Sequence, residues 1–155
     1  MRIACVDPGG RTGWALFEYI DTLRLLEAGQ VGPGDHHLLL EETLYGLGEL
    51  DLLIYERFEH RNDEFARLVS LEYIGVCKYF CQKYSVRSVE QGASQATKWA
   101  TNDKMRALGF LKSPLFENKD ENDAKRHGVF FMCNSDSVDI VVRRQILRQM
   151  FGKTK

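Results

Sequence analysis

Three short apolar runs occupy the first 31 residues, before any helical repeat begins, and this order restricts the fold more than any other feature of the chain. Residues 2–6 (RIACV), 13–19 (GWALFEY) and 23–31 (LRLLEAGQV) are rich in apolar, β-branched or aromatic residues, and the first two are separated by the turn sequence Pro8-Gly9-Gly10-Arg11-Thr12. They predict an antiparallel meander. The pattern then changes. Asp35 is placed to cap a helix that carries Leu38, Leu39, Glu42, Leu44 and Leu47 at helical spacing and closes at Gly48. Residues 50–55 (LDLLIY) read as a buried strand, and a long amphipathic helix follows from Asn62 or Asp63 to about Tyr84. A short strand is expected at 85–90. From Ala93 onward the periods are helical, broken near Gly109 and at Ser113-Pro114, with helices from about Asp120 to Cys133 and from about Ser137 to Phe151. Three strands followed by helix, strand, helix, strand and helices describe an α/β domain. Its later strands are reached through helical crossovers and so are free to lie parallel to the first.

A chain of 155 residues with 44% hydrophobic content has enough apolar surface for one core. No linker composition or repeat divides it, so the expectation is one domain over 1–151 and a flexible tail at 152–155. The net charge of -1 is low for a nucleic-acid partner, but its distribution is uneven. Residues 1–55 carry three Lys/Arg against nine Asp/Glu, and residues 56–155 carry eighteen against thirteen, so the balance moves from -6 to +5. One side of the molecule is therefore expected to be basic.

Asp7 follows only four apolar residues, too few for a signal peptide or a membrane span, which points to a cytoplasmic protein with no membrane partner. Cys5, Cys77, Cys81 and Cys133 form no C-x-x-C pair and are expected to be reduced core thiols.

Four carboxylates stand at positions where charge is costly. Asp7 ends the first strand and is followed by Pro8 and two glycines, which allow close approach to it; an Asp that merely starts a turn has the same pattern. Glu56 ends the run Leu52-Leu53-Ile54-Tyr55, where a charge needs a metal or a partner such as Arg57 or Arg61. Asp120 and Asp123 are three residues apart at a predicted helix start, roughly 300° around the axis and so nearly on one face, where helix capping is the alternative use. The set says more than its members. If the parallel strands are neighbours and the helix packs across them, four carboxylates converge into oxygen-rich ligands for Mg2+. Two such ions about 4 Å apart stabilise the attacking and leaving oxygens of a phosphoryl displacement.

His127, four residues beyond Asp123, should face the same way. It has two readings. One is a group that orients water, moves a proton or ligates metal; the other, favoured on the sequence, is a partly exposed helix histidine with no such role. His36 and His37 have no convergent ligand spacing and are given no chemistry.

Ile3-Ala4-Cys5-Val6-Asp7-Pro8-Gly9 with Gly13 opening the next strand, Leu53-Ile54-Tyr55-Glu56, and Asp120-x-x-Asp123-Ala124 together resemble the RuvC family of Holliday junction resolvases, within the RNase H-like superfamily. Order, spacing and strand context agree over residues 1–133. The resemblance implies a five-stranded mixed sheet, three antiparallel strands then two parallel ones, flanked by helices. It implies that Asp7, Glu56, Asp120 and Asp123 are catalytic, metal-binding acids using two Mg2+ ions, with Mn2+ able to substitute. It implies a homodimer acting on four-way junctions and other branched DNA, with the helix 62–84 as the candidate dimer contact; a plain core helix explains that apolar stripe equally well.

The family's DNA-gripping positions correspond here to Phe58 and Arg61, shortly after the second acid, and to Lys98, Lys104 and Arg106, in and after the polar stretch Gln91 to Trp99. Phe58 either wedges into the base stack or packs at the strand end. The chain departs from the cellular resolvases in three ways: the turn after Asp7 is one residue shorter, the charge is less basic, and a further helix carries Arg143, Arg144 and Arg148. These traits are more like small phage-encoded members, which would act in the bacterial host cytoplasm on a wider range of branches. The rival readings are RNase H-type cleavage of RNA-DNA hybrids and a branched-DNA-binding module without catalysis. An ATP-handling relative of sugar kinases and actin would need a second phosphate-binding turn, which the sequence lacks.

Overall fold

Ile3, Ala4, Cys5 and Val6 are buried without a break, and so are Leu52, Leu53, Ile54 and Tyr55. A strand apolar at every position must be covered on both faces, which is the condition of a central strand in a layered α/β sheet. The computed structural model describes residues 1–32, 37–58, 64–111 and 119–152, with only the backbone for 64–67 and 93, and it places these two strands side by side at the centre of the fold.

The elements are β1 (Arg2–Asp7), β2 (Thr12–Tyr19), β3 (Leu23–Val31), α1 (His37–Gly46), β4 (Leu52–Glu56), α2 (Glu64–Tyr84), β5 (Arg87–Gln91), α3 (Ala93–Trp99), α4 (Asn102–Ala107), α5 (Lys119–Asn134) and α6 (Ile140–Phe151). The sheet runs β3-β2-β1-β4-β5. β2 pairs antiparallel with β1 and β3, while β4 pairs parallel with β1 and β5. The expected five-stranded mixed sheet, three antiparallel strands and then two parallel, is the one observed.

Side chains that alternate across a strand divide the interior into two cores. Ala4, Val6, Leu53 and Tyr55 point to the face covered by α1 and α2, where they pack with Leu40, Leu44, Tyr73, Cys77 and Phe80. Ile3, Cys5, Leu52 and Ile54 point to the other face and pack with Met105, Ala124, Val129, Met132 and Ile146 of the later helices. All four cysteines are free and buried. No described helix is long and apolar enough to cross a membrane.

Boundaries differ slightly from expectation. The last strand lies at Arg87–Gln91 rather than 85–90, because Ser85 takes a positive φ of 55° and turns the chain after α2. The final helix starts at Ile140, not Ser137, where the Asp139 carboxylate accepts a 2.6 Å hydrogen bond from the Val141 amide and caps it. The proposed cap Asp35, the Ser113-Pro114 break and the tail from Lys153 lie outside the described residues.

Two glycines bring α5 against the sheet. A β-carbon at Gly13 would stand 1.9 Å from the Asp120 carbonyl oxygen and 2.6 Å from the Glu121 amide nitrogen. At Gly128 it would stand 2.4 Å from the Phe17 ring and 2.9 Å from the Cys5 sulfur. The Gly13 neighbour is backbone and has no rotamer to change, whereas the Gly128 neighbours are side chains. Gly13→Ala is therefore expected to destabilise the protein by about 3 kcal/mol and Gly128→Ala by about 1–3 kcal/mol. Denaturant midpoints check both, and a Gly13→Ala protein of unchanged stability would contradict the close approach.

Candidate metal centre

Alternation along the strands decides where the acids point. Asp7 continues the parity of Ile3 and Cys5, and Glu56 that of Leu52 and Ile54, so both strand-end carboxylates belong to the α5 face. β1 and β4 are in parallel register, Val6 opposite Tyr55, which brings Asp7 and Glu56 to neighbouring strand ends. Glu56 is in turn opposite Gln91 on β5. Behind Asp7, Thr12 is fully buried and closes the turn: its hydroxyl donates to the Gly9 carbonyl at 3.2 Å and accepts from the Gly9 amide at 3.3 Å.

α5 supplies the opposite wall. Its first turn rests on Gly13, the register partner of Asp7, and this places Asp120 and Asp123 beside the strand ends. Asp7 is pushed from its ordinary 3.8 up to about 8, first by burial, then by the charge of Glu56 and a hydrogen bond shared with it, and then by the charges of Asp123 and Asp120. The charges of the other three predicted acids therefore all reach Asp7. The structure brings them together.

His127 requires a correction. It is not a partly exposed helix histidine: it is 1% exposed, one of the most buried side chains in the protein. Two helical turns beyond Asp120, it faces the sheet, with Nδ1 2.9 Å from Gln91 Oε1 and Nε2 3.3 Å from Glu56 Oε2. Ligand atoms of Asp7, Glu56 and His127 all lie within 4.8 Å of one another.

Asp123 is held by Arg126 one turn on, whose Nη1 donates to its Oδ1 at 2.6 Å. The same guanidinium donates from Nε to the Ala100 carbonyl at 3.1 Å and from Nη2 to the Asn102 side chain. Arg126 therefore ties a site carboxylate to the junction between α3 and α4. Gln91 and Arg126 were not legible as site residues. Gln91 could have been found from the parity of β5 once its neighbour was known, and Arg126 from its i,i+3 spacing to Asp123.

The expected DNA-gripping residues are dispersed. Lys98 is exposed on α3. Lys104 is half-buried, its ammonium 3.8 Å above the Trp99 ring centre and donating to the Trp99 carbonyl at 2.8 Å. Arg106 is exposed and paired with Asp103 at 3.1 Å. Phe58 packs half-buried against the α1/α2 core, and Arg61 lies outside the described residues.

The donor set suits a divalent cation. Several carboxylates within reach, one of them holding a proton far above its usual range, is the arrangement that a hard cation relieves. An acid that ionises less readily in the fold than in the unfolded chain retains its proton longer in the fold. Folding stability is then highest at low pH, falls as pH rises from about 4 to about 8, and levels off above that. The thermal midpoint of the metal-free protein is expected to fall across this window more steeply than that of Asp7→Asn, and added Mg2+ or Mn2+ should reverse the loss. Identical pH profiles for the two proteins would exclude Asp7 as the strained group.

No family model and no curated protein matches the chain. The architecture is the RNase H-like α/β fold, and among solved structures it is shared with the RuvC-like Holliday junction resolvases. Thermus thermophilus RuvC in complex with a Holliday junction substrate superposes with a TM-score of 0.67 at 16% identity, covering 84% of this chain and 94% of that one. The fowlpox virus resolvase in complex with substrate Holliday junction DNA gives 0.61 at 15% identity, covering 84% and 97%. The yeast mitochondrial Holliday junction resolvase gives 0.59 at 8% identity, covering 94% and 82%. At these identities the likeness is one of fold.

Proposed function

We propose that this protein is a divalent-metal-dependent endonuclease that cuts phosphodiester bonds in four-way junctions and other branched DNA. The observation that carries the reading is the convergence of Asp7, Glu56, Asp120 and Asp123 on one face of the sheet, in a fold shared with resolvases. Asp7, Glu56, Asp120 and Asp123 are the acids that hold the cations, two Mg2+ ions with Mn2+ as a substitute. When bound, these ions supply charge neutralisation for the carboxylates and for the attacking and leaving oxygens of the phosphate.

The chain's own residues do the rest. Partial burial of Asp7 and Glu56 limits the water at the strand ends, and the lowered local dielectric strengthens each charge interaction there. Arg126 keeps Asp123 in one orientation. Lys98, Lys104 and Arg106 lie on α3 and α4, the two helices that Arg126 joins to the site, and their charges suit a phosphate backbone. Phe58, two residues beyond Glu56, is the first aromatic after that acid and is given the role of stacking on an opened base, with Arg61 three residues further on. Leu68, Leu71 and Tyr79 stand exposed at helical spacing along α2, a surface suited to a homodimer that would cut both strands. The whole would work as a single domain over 1–151 in a cytoplasm, that of a bacterial host if the gene belongs to a phage.

Incubating the protein with Mg2+ and a four-way junction, a flap and an RNA-DNA hybrid tests this directly. Junction and flap should be cut in preference to the hybrid; Asp7→Asn and Asp123→Asn should each lower cleavage about a hundredfold or more while retaining junction binding. Preferential cutting of the hybrid would favour an RNase H instead, and binding without metal-dependent cleavage would indicate a non-catalytic module. Lys98→Ala should weaken junction binding alike for all sequences and reduce the slope of log affinity against log salt by about 1.

A further inference from the structure

Gln91 and His127 form a buried pair whose hydrogen-bond chemistry fixes a tautomer. The side-chain carbonyl Oε1 of Gln91 only accepts, so the 2.9 Å contact requires the proton on Nδ1 of His127. In the neutral ring Nε2 is then an unprotonated nitrogen, and it is this atom that stands 3.3 Å from Glu56 Oε2. Two lone pairs would face each other across that gap at the centre of the acid cluster. A shared proton or a cation relieves this.

The geometry favours a cation. A ring nitrogen of His127 and one carboxylate oxygen each from Asp7 and Glu56 lie mutually within 4.8 Å, and Nε2 is the nitrogen turned to Glu56. Ligands bonded to one ion at roughly 2.1 Å stand about 3 Å apart at right angles and at most about 4.2 Å apart in trans, so an inward side-chain shift on the order of an ångström closes the set. The histidine has no room to leave: it is 1% exposed, its ring is held through Nδ1, and its neighbour Gly128 is pressed against Phe17 and Cys5. A ligating histidine whose other ring nitrogen donates to a carbonyl or carboxylate is the usual construction of a nitrogen-containing metal site.

We infer that His127 is a direct metal ligand, completing with Asp7 and Glu56 a mixed nitrogen and oxygen site, with Gln91 as the residue that orients it. This rests on the metal-dependent reading above and adds to it a ligand and a preference among ions. Imidazole nitrogen suits transition ions better than Mg2+. The site is therefore tuned toward Mn2+ and its neighbours, more than a site of carboxylates alone would be.

Pulsed electron paramagnetic resonance on the full chain loaded with Mn2+ reads this without reference to activity. The wild-type spectrum should show the coupling of a directly bonded 14N nucleus. A chain in which His36, His37 and His60 are replaced should keep that coupling, and His127→Gln should lose it. Mn2+ affinity should fall about tenfold or more in His127→Gln, with a smaller loss for Mg2+, and Gln91→Leu should weaken Mn2+ binding while keeping the 14N coupling. Mn2+ that binds in an Asp7-dependent manner but shows no nitrogen coupling overturns the role of His127 and leaves the metal-dependent reading standing. If no Mn2+ binds and Asp7→Asn is indistinguishable from wild type, both fail. The spectrum of the chain with His36, His37 and His60 replaced decides the matter even if His127→Gln does not fold.

Discussion

The close approach of α5 to β1 and β2 is the contact on which the rest of the structure depends. Gly13 admits the backbone of the helix's first turn, and Gly128 lets its middle rest on Phe17 and Cys5. Side chains at either place would lift the helix away from the sheet. Asp120 and Asp123 would then leave Asp7, and His127 would lose Glu56 and Gln91. The same contact seals the larger core, since Ala124, Val129 and Met132 of α5 pack there with Ile3, Cys5 and Ile54. Site geometry and core packing are consequences of one helix position.

That position is electrostatically costly, and the protein offsets the cost locally. Lys125 is buried against Glu121 and Asn122, and Arg126 covers Asp123, so the helix carries cations that answer its own acids. At Asp7, by contrast, burial and the charges of three carboxylates all act in the same direction and raise it. Strain concentrated on one carboxyl group at the meeting of two strands and a helix marks where an external positive charge is most favourable. Arg126 also reaches Ala100 and Asn102, so a movement of α3 or α4 on a bound polyanion would be felt at Asp123 through one guanidinium.

Much of the fold was legible because its signals are local. Unbroken apolar runs at 3–6 and 52–55 identify buried strands, and strand order follows from the helices between them. The four acids stand out in the sequence for a related reason: each interrupts an apolar segment or opens a helix, where a charge is conspicuous. The roles of single side chains were less legible. Lys104 reads as a free cation in sequence but is committed to the ring and carbonyl of Trp99. Gln91 reads as the start of a polar stretch, yet its side chain is buried. His127 reads as a surface residue because helical spacing to Asp123 gives its direction around the axis and not what lies opposite.

The sequence by itself determined the alternation of strands and helices, the sidedness of Asp7 and Glu56 relative to their own strands, and the common face of Asp120 and Asp123. These follow from periods of two and 3.6 residues that any chain must obey. Only the tertiary structure decided that the α5 face and the acid face are the same, and that His127 and Gln91 meet beside Glu56. Those contacts join residues 36 and 71 positions apart, and they depend on how closely a helix can approach a sheet, which is set by side-chain volume at two glycines and by no periodicity in the chain.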